Sequence, residues 1–336
     1  MPTTMCATLD EPHAPGADLV FCLPLLIAWK QLSERFGPLR MTPQPPLADA
    51  LNAALLDPAA LDPAWYVAGA GLGADGILEA LRRELVEKFP EERPSLLPSA
   101  VAPDALLAYA FLCRTLRFPT PFSVCDGTFH DQLVAAFGTT NTPGSPEVVR
   151  ARNAQVLVHD YTSSDDFVLE LLHGEQDDRI LVAQIPPEHA LGATVRSVLD
   201  RLNRLPADQS SLGAHESLTI PRLQLDEQRS FIELAGLPLQ NDALAERRFD
   251  EVKQIVRFRL DQGGASVRAE AVMLGFGPPP VTRSFSVRRP FLLLLIRRGA
   301  RLPYLALWVE TPTWMESRGH LPPVLPPSFG AWGPPS

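Results

Sequence analysis

The chain has 336 residues, 46% of them hydrophobic, and a formal net charge of −9 at pH 7. This composition can bury a sizeable core and excludes a disordered chain, while the acidic balance argues against nucleic acid as the main partner. The four cysteines show neither CxxC spacing nor the density of a disulfide scaffold, so we expect reduced thiols.

The N-terminal residues 1–17 predict a disordered lead. They are acidic and contain no basic region before an apolar core, so they do not resemble a secretory signal. The apolar run Val20–Trp29 is too short to span a membrane. We therefore expect a cytoplasmic protein without a membrane partner, with an extracellular location left open.

The first half of the chain predicts helices and one buried strand. Residues 19–36 suggest a strand that turns at Pro24 into a buried helix, whereas residues 38–70 show no clear strand. Asp75 is predicted to cap a helix with one apolar face, formed by Ile77, Leu78, Leu81, Leu85 and Phe89. The continuous apolar run 106–116 predicts a central strand buried on both faces.

The second half is rich in strands. Apolar segments predict strands at 155–158, 167–172, 180–185, 218–225, 252–260, 291–296 and 302–309, with helices at 191–202 and 228–235. Early helices and late antiparallel strands indicate an α+β class. We predict one domain at 18–312, followed by a Pro-rich tail at 313–336.

Residues with catalytic or metal-binding chemistry are scattered. The groups are Cys125-Asp126 with His130-Asp131, His159-Asp160, His215-Glu216 and the glycine-rich Gly71–Gly76. Their spacing matches no zinc, nucleophile or phosphate-loop pattern, so we interpret them as solvated residues and a helix-entry loop, with no catalytic residue, metal or cofactor expected. A hydrolase that uses His130 or His159 stays open as an alternative.

The most informative segment is Phe258–Pro280, FRLDQGGASVRAEAVMLGFGPPP. An alternating strand runs into the turn Asp261–Gly264, after which alternation resumes with small apolar residues on one face and charges on the other. Three consecutive prolines follow, and because proline has no backbone N–H to donate, this part of the segment cannot lie inside a sheet. The segment is thus a loop with strand-like alternation.

This segment, and a block that begins at Arg289 near the C-terminal end, resemble segments of the serpins, the serine-protease-inhibitor superfamily. The turn resembles the hinge before the serpin reactive-centre loop, with Gly264 at the hinge glycine, and Arg289-Pro290-Phe291 opens a block like the family's C-terminal hairpin. Weaker matches follow in family order at 20–25, 106–122, 180–187, 218–223 and 234–237. Residues 38–74 are shorter than the family pattern, and Gln254 stands in place of a histidine.

The resemblance implies a divergent, shortened α+β serpin-like fold: a large central mixed sheet, smaller antiparallel sheets, a reduced helical region and an exposed loop at about 264–290. It implies an inhibitor, expected to be monomeric, of a chymotrypsin-like or subtilisin-like serine protease. The reactive bond would be Phe276-Gly277. After cleavage the hinge would insert into the central sheet, and it would consist of Gly264, Ala265, Val267, Ala269 and Ala271. A non-inhibitory binding or structural protein of the same fold is the alternative.

Overall fold

The helices and strands are those of a computed structural model that describes residues 3–139, 146–174, 177–204, 210–213, 215–263 and 283–320. The α-helices are α1 (Pro24–Phe36), α2 (Pro46–Ala53), α3 (Ile77–Lys88), α4 (Pro146–Ala154) and α5 (Leu191–Arg204). The strands of the first half are β1 (Thr3–Cys6), β2 (Asp18–Cys22), β3 (Tyr66–Leu72), β4 (Leu106–Leu112), β5 (Ser123–Phe129), β6 (Gln132–Gly138), β7 (Val156–Ser163) and β8 (Asp166–Leu171). Those that follow are β9 (Asp178–Gln184), β10 (Ser210–Ser211), β11 (Ser217–Pro221), β12 (Leu223–Ser230), β13 (Lys253–Leu260), β14 (Ser284–Ser286), β15 (Phe291–Arg297), β16 (Leu305–Val309) and β17 (Ser317–His320).

The largest sheet is mixed and has eight strands in the order β1-β2-β16-β15-β9-β8-β7-β10. Among the described strands of this sheet, only β1 and β2 pair in parallel. The hairpin β15–β16 lies at its centre because FLLLLIR and LALWV are apolar on both faces, which suits a strand covered on both sides. One hydrophobic core extends around this sheet from Met5 to Trp314.

A second sheet has five strands, in the order β14-β11-β6-β17, with β5 on the other edge of β6. The C-terminal strand β17 pairs with the first half of β6, and β11 pairs with the second half of the same edge. The prediction of a tail from residue 313 is therefore wrong up to His320, because Trp314 is 3% exposed and β17 adds to a sheet edge. Residues 321–336 lie outside the described part.

Two further ladders, β3–β4 and β12–β13, are two-stranded and antiparallel. One face of β3–β4 packs on the main core with α1, and the other forms a small core with α3 that includes Val67, Leu81 and Tyr109. The predicted strand at 106–116 ends at Leu112 and is mostly half-buried, because β4 has a strand on one side only within the described residues. A strand, β3, also lies in the segment where none was clear.

The N-terminal segment is ordered, so the predicted disordered lead at 1–17 is wrong from Thr3 onward. Residues 3–6 pair with β2, and Cys6 is fully buried. The four-residue strand escaped prediction because its partner is needed to satisfy its backbone groups. No position is described for residues 1 and 2.

The predicted helix at 228–235 is also wrong. β12 continues to Ser230 and is followed only by a short 3₁₀ turn at Ile232–Leu234. Cross-strand pairing with β13 along all eight residues outweighs the weak helical propensity of this polar segment. The predicted α+β class, the helix at 191–202 and the apolar face of α3 are confirmed.

Candidate functional site

The candidate site is the space beside β13, where the chain leaves the β12–β13 ladder. Within the described residues, β13 pairs only with β12, and β4 pairs only with β3. Helix α1 packs against β3, β4 and β13, so it supports both ladders from the core side. Among the described residues, β13 and β4 thus each have one edge without a partner, whose backbone groups could bind an added strand.

The turn that leaves β13 is held by backbone and side-chain hydrogen bonds. Asp261 is 1% exposed; its Oδ1 accepts a hydrogen bond from the Gly263 amide (3.0 Å), and its Oδ2 lies 2.8 Å from Arg259 Nε. The Gln262 carbonyl accepts a hydrogen bond from the Phe122 amide at 2.7 Å. The predicted turn at 261–263 is confirmed, and it has the geometry that Asp side chains favour in turns.

The predicted hinge and reactive-bond residues lie outside the described residues. These are Gly264, Ala265, Val267, Ala269, Ala271, Phe276 and Gly277, all within 264–282. Their assignment stays a prediction.

Arg283, the first described residue after 264–282, forms a salt bridge with Glu216. Arg283 Nε and Nη2 lie 2.5 and 3.0 Å from Glu216 Oε1 and Oε2. Burial raises the pKa of Glu216, but the hydrogen bonds from Arg283 and the Gly213 amide outweigh it and lower that pKa. From there β14 pairs in parallel with β11, so both ends of the segment 264–282 are attached to the body.

A buried ion pair holds the chain just after β4. Arg114 Nε and Nη2 lie 2.8 and 2.6 Å from Asp178 Oδ2 at the start of β9. The guanidinium carbon also lies 3.9 Å from the centroid of Trp65, a cation–π contact. Sequence reasoning missed this pair, since the only signal is an arginine after an apolar strand.

Gln254 connects β13 to the large sheet. It is 3% exposed, and its Nε2 donates a hydrogen bond to the Cys22 carbonyl at the end of β2 (2.9 Å). Burial raises the pKa of the Cys22 thiol to about 12, so this cysteine is a neutral core residue.

The structure does not assemble the enzyme candidates into one site. Cys125 lies on β5, paired with Ala136, whereas His130 is in the exposed turn before β6 and donates to the Glu310 carbonyl (2.9 Å). His159 is on β7 in the large sheet and is 3% exposed, so the interpretation as a solvated residue is wrong. Its Nε2 donates to Glu170 Oε2 at 2.8 Å.

The glycine-rich segment is a helix-entry loop, as predicted. Residues Gly73–Asp75 form a 3₁₀ turn before α3, and Asp75 binds Arg35 Nη2 (2.6 Å) and the Leu72 amide (3.0 Å). Asp75 therefore stabilises this turn, whereas Gly76, in the left-handed region, directly precedes α3, so the prediction that Asp75 caps the helix is wrong. The described residues contain no group of three or more His, Cys, Asp or Glu side chains suited to a metal ion, and none of their helices is long and apolar enough to cross a membrane.

Comparison with known proteins identifies the fold. The chain superimposes on the mouse protein-Z dependent protease inhibitor with a TM-score of 0.51 and 13% identity, over 90% of this chain and 92% of that chain. Two other similar structures score lower: thyroxine-binding globulin with thyroxine (0.43, 12% identity, 71% and 65% covered) and a serpin from Schistosoma mansoni (0.40, 11% identity, 69% and 62% covered). No family model and no curated sequence matches the chain.

The superposition on the mouse inhibitor shows that the chain has a serpin-like fold. The fold that the sequence resemblance implies is confirmed, with a large mixed sheet, smaller antiparallel ladders and few helices. The strand that enters the predicted loop, β13, belongs to a two-stranded ladder and not to the eight-stranded sheet.

Proposed function

We propose that this protein is a serpin-like inhibitor of a serine protease. Residues 264–282 serve as the bait loop, because the rest of the predicted loop 264–290 contains β14 and the buried Phe285, and after cleavage the hinge enters beside β13 as a new strand. One edge of β13 has no pairing partner among the described residues, and the turn at Asp261–Gly263 follows this strand directly; this is the observation that carries the proposal. The similar mouse structure is described as a protease inhibitor, which supports this function.

The composition of the hinge suits insertion. With Gly264 as hinge glycine, Ala265, Val267, Ala269 and Ala271 alternate onto the inward face, whereas Arg268 and Glu270 face outward. The Gly263 amide is already bonded within the turn, which favours Gly264 as the first inserting residue. Each buried methylene contributes about 0.8 kcal/mol, and a buried unpaired charge would cost several kcal/mol.

The test is incubation with chymotrypsin or subtilisin. We expect cleavage at Phe276-Gly277, an SDS-stable adduct and a large rise in the melting temperature of the cleaved protein, because a strand is gained. Ala269→Asp should abolish the adduct while cleavage continues, since it places a carboxylate on the inward face. Arg268→Asp is the matched control, and it should still form the adduct. Absence of both adduct and cleavage between Val272 and Gly277 would contradict an inhibitory function.

The second candidate is a non-inhibitory binding or structural protein of the same fold. It is favoured by the small size of the ladders beside which a strand would enter. Among the described residues, β4 and β13 each belong to a ladder of only two strands. Cleavage of the loop without an adduct and without a rise in melting temperature would support this alternative.

A further inference from the structure

We propose that residues 3–13, the N-terminal belt, restrain the β12–β13 ladder and thereby limit how readily a strand enters beside β13. The inference rests on the proposed function, because entry beside β13 is the step through which the loop would act. It concerns the regulation of that step by a segment distant from the loop in sequence.

One cross-strand residue pair of the ladder, the Arg229–Gln254 rung, is bonded to β1 and β2. Arg229 and Gln254 are direct cross-strand partners. Arg229 Nη1 donates to the Met5 carbonyl in β1 (2.6 Å), and Gln254 Nε2 donates to the Cys22 carbonyl at the end of β2 (2.9 Å). This rung lies close to the end of the ladder that is opposite the turn after Leu260.

The Glu227 carboxylate on β12 binds both the belt and the segment that follows β16. Glu227 Oε1 accepts hydrogen bonds from Thr3 Oγ1 (3.3 Å) and from Trp314 Nε1 (2.8 Å). The belt contacts β12 here mainly through polar groups around a cavity of about 340 Å³, lined by Thr3, Thr4, Met5, Glu11, Glu227, Gln228 and Arg229. A contact made by a few hydrogen bonds across a hollow can be released more readily than a packed apolar one.

The belt is also attached to β2 of the large sheet and to the start of α5. β1 pairs with β2, and Met5 and Cys6 are buried. The carbonyls of Leu9 and Glu11 accept hydrogen bonds from the Gly192 and Leu191 amides (2.7 and 3.0 Å), which satisfies backbone donors at the start of α5. The belt can therefore hold β12 against the large sheet.

This restraint matters because a two-stranded ladder has little rigidity of its own. Its position depends on what it is bonded to, and the bonds of Arg229 and Glu227 attach its far end to the belt. Release of the belt would let the ladder move relative to β1 and β2. Strand entry beside β13 then becomes easier.

The first experiment measures hydrogen exchange in the uncleaved protein, so it does not depend on loop insertion. Arg229→Ala should accelerate exchange of the β12 and β13 amides by about tenfold, because a charged hydrogen bond to the belt is lost. The matched control is Glu233→Gln, which weakens the ion pair that Arg229 also makes with Glu233 and leaves the bond of Arg229 to the belt. Arg257→Ala, whose exposed ion pair with Asp226 does not touch the belt, is a second control on the same ladder. Equal exchange rates in Arg229→Ala and Glu233→Gln would overturn the proposal that the belt restrains the ladder.

The second experiment follows the gain in melting temperature after proteolytic cleavage of the loop. Arg229→Ala should reach the stabilised form faster than the wild type and Arg257→Ala. If the wild type gains no stability, the proposed function fails, and the exchange experiment still decides whether the belt restrains the ladder. Should Arg229→Ala not fold, Thr3→Val removes only one hydroxyl donor to Glu227, and faster exchange in β12 is again expected.

Discussion

At the scale of single residues, two buried carboxylates show how neighbours decide the charge state. Asp18 is fully buried and accepts hydrogen bonds from the Glu310 and Thr311 amides and the Thr311 hydroxyl, yet burial raises its pKa. Burial also acts on Glu170, but the hydrogen bond from His159 and the nearby guanidinium groups outweigh it and lower the pKa. The hydrogen bond from His159 together with two guanidinium groups, which Asp18 lacks, favours the anionic form of Glu170.

We predict that Glu170→Gln loses about 2–3 kcal/mol of stability at pH 7, because it leaves Arg298 and Arg179 beside a neutral amide. The folded-state pKa of Glu170 lies below its ordinary 4.5, so its contribution is present above pH 4.5 and is lost as the pH falls through the folded-state value. Urea unfolding at several pH values measures this. A stability difference that does not shrink in acid would contradict it.

Glu251→Gln is the matched control for this prediction. Glu251 pairs with Lys253 on the surface, where its side chain is 60% exposed. Its replacement should change stability by less than about 0.5 kcal/mol.

At the scale of elements, close backbone approach limits which residues a strand can carry. Gly138 at the end of β6 faces Thr219 of β11, and a Cβ atom there would come within 1.8 Å of the Leu218 carbonyl oxygen. The sequence shows only a glycine after an apolar run. Its requirement follows from a pairing partner about eighty positions away, which local pattern does not reveal.

We therefore predict that Gly138→Ala destabilises the protein by about 3 kcal/mol, because β6 and β11 must separate to admit a methyl group. Gly174→Ala is the matched control, since no atom lies within 4 Å of the added Cβ. Thermal and urea unfolding of both variants provide the measurement. Equal stability of the two would show that β11 can shift at no cost.

At the scale of the whole molecule, both ends of the described chain complete sheets formed by residues far away. β1 adds to the edge of the large sheet, and β17 adds to β6. Bonds also link the two ends through Glu227, which binds both Thr3 and Trp314. The first and last described strands, β1 and β17, are thus part of the fold.

A chain ending at Glu316 should lose about 1–3 kcal/mol and aggregate more readily than one ending at His320. The shorter chain lacks β17 and exposes part of the β6 edge, whereas the longer one retains it. Urea midpoints and light scattering compare the two. Identical behaviour would mean that β17 contributes nothing to the sheet.

The success of sequence reasoning varied with the range of the interactions involved. The α3 leucines and the apolar hairpin β15–β16 carry their own periodic pattern and were predicted, as was the turn at Asp261–Gly263. The strands β1, β3 and β17 carry little pattern and were missed. Of the candidate site, the turn could be predicted, but the Arg114–Asp178 pair and the Arg229–Gln254 rung could not, because each joins segments distant in sequence.

The serpin-like fold of this chain could be predicted from the sequence alone, because the resemblance rests on short motifs in family order, and such motifs are local properties of the residues. Only the tertiary structure decided that β13 lies in a two-stranded ladder with an open edge and that the N-terminal segment is bonded to it. Such facts depend on hydrogen bonds between strands, and a strand's own sequence does not specify which partner satisfies them.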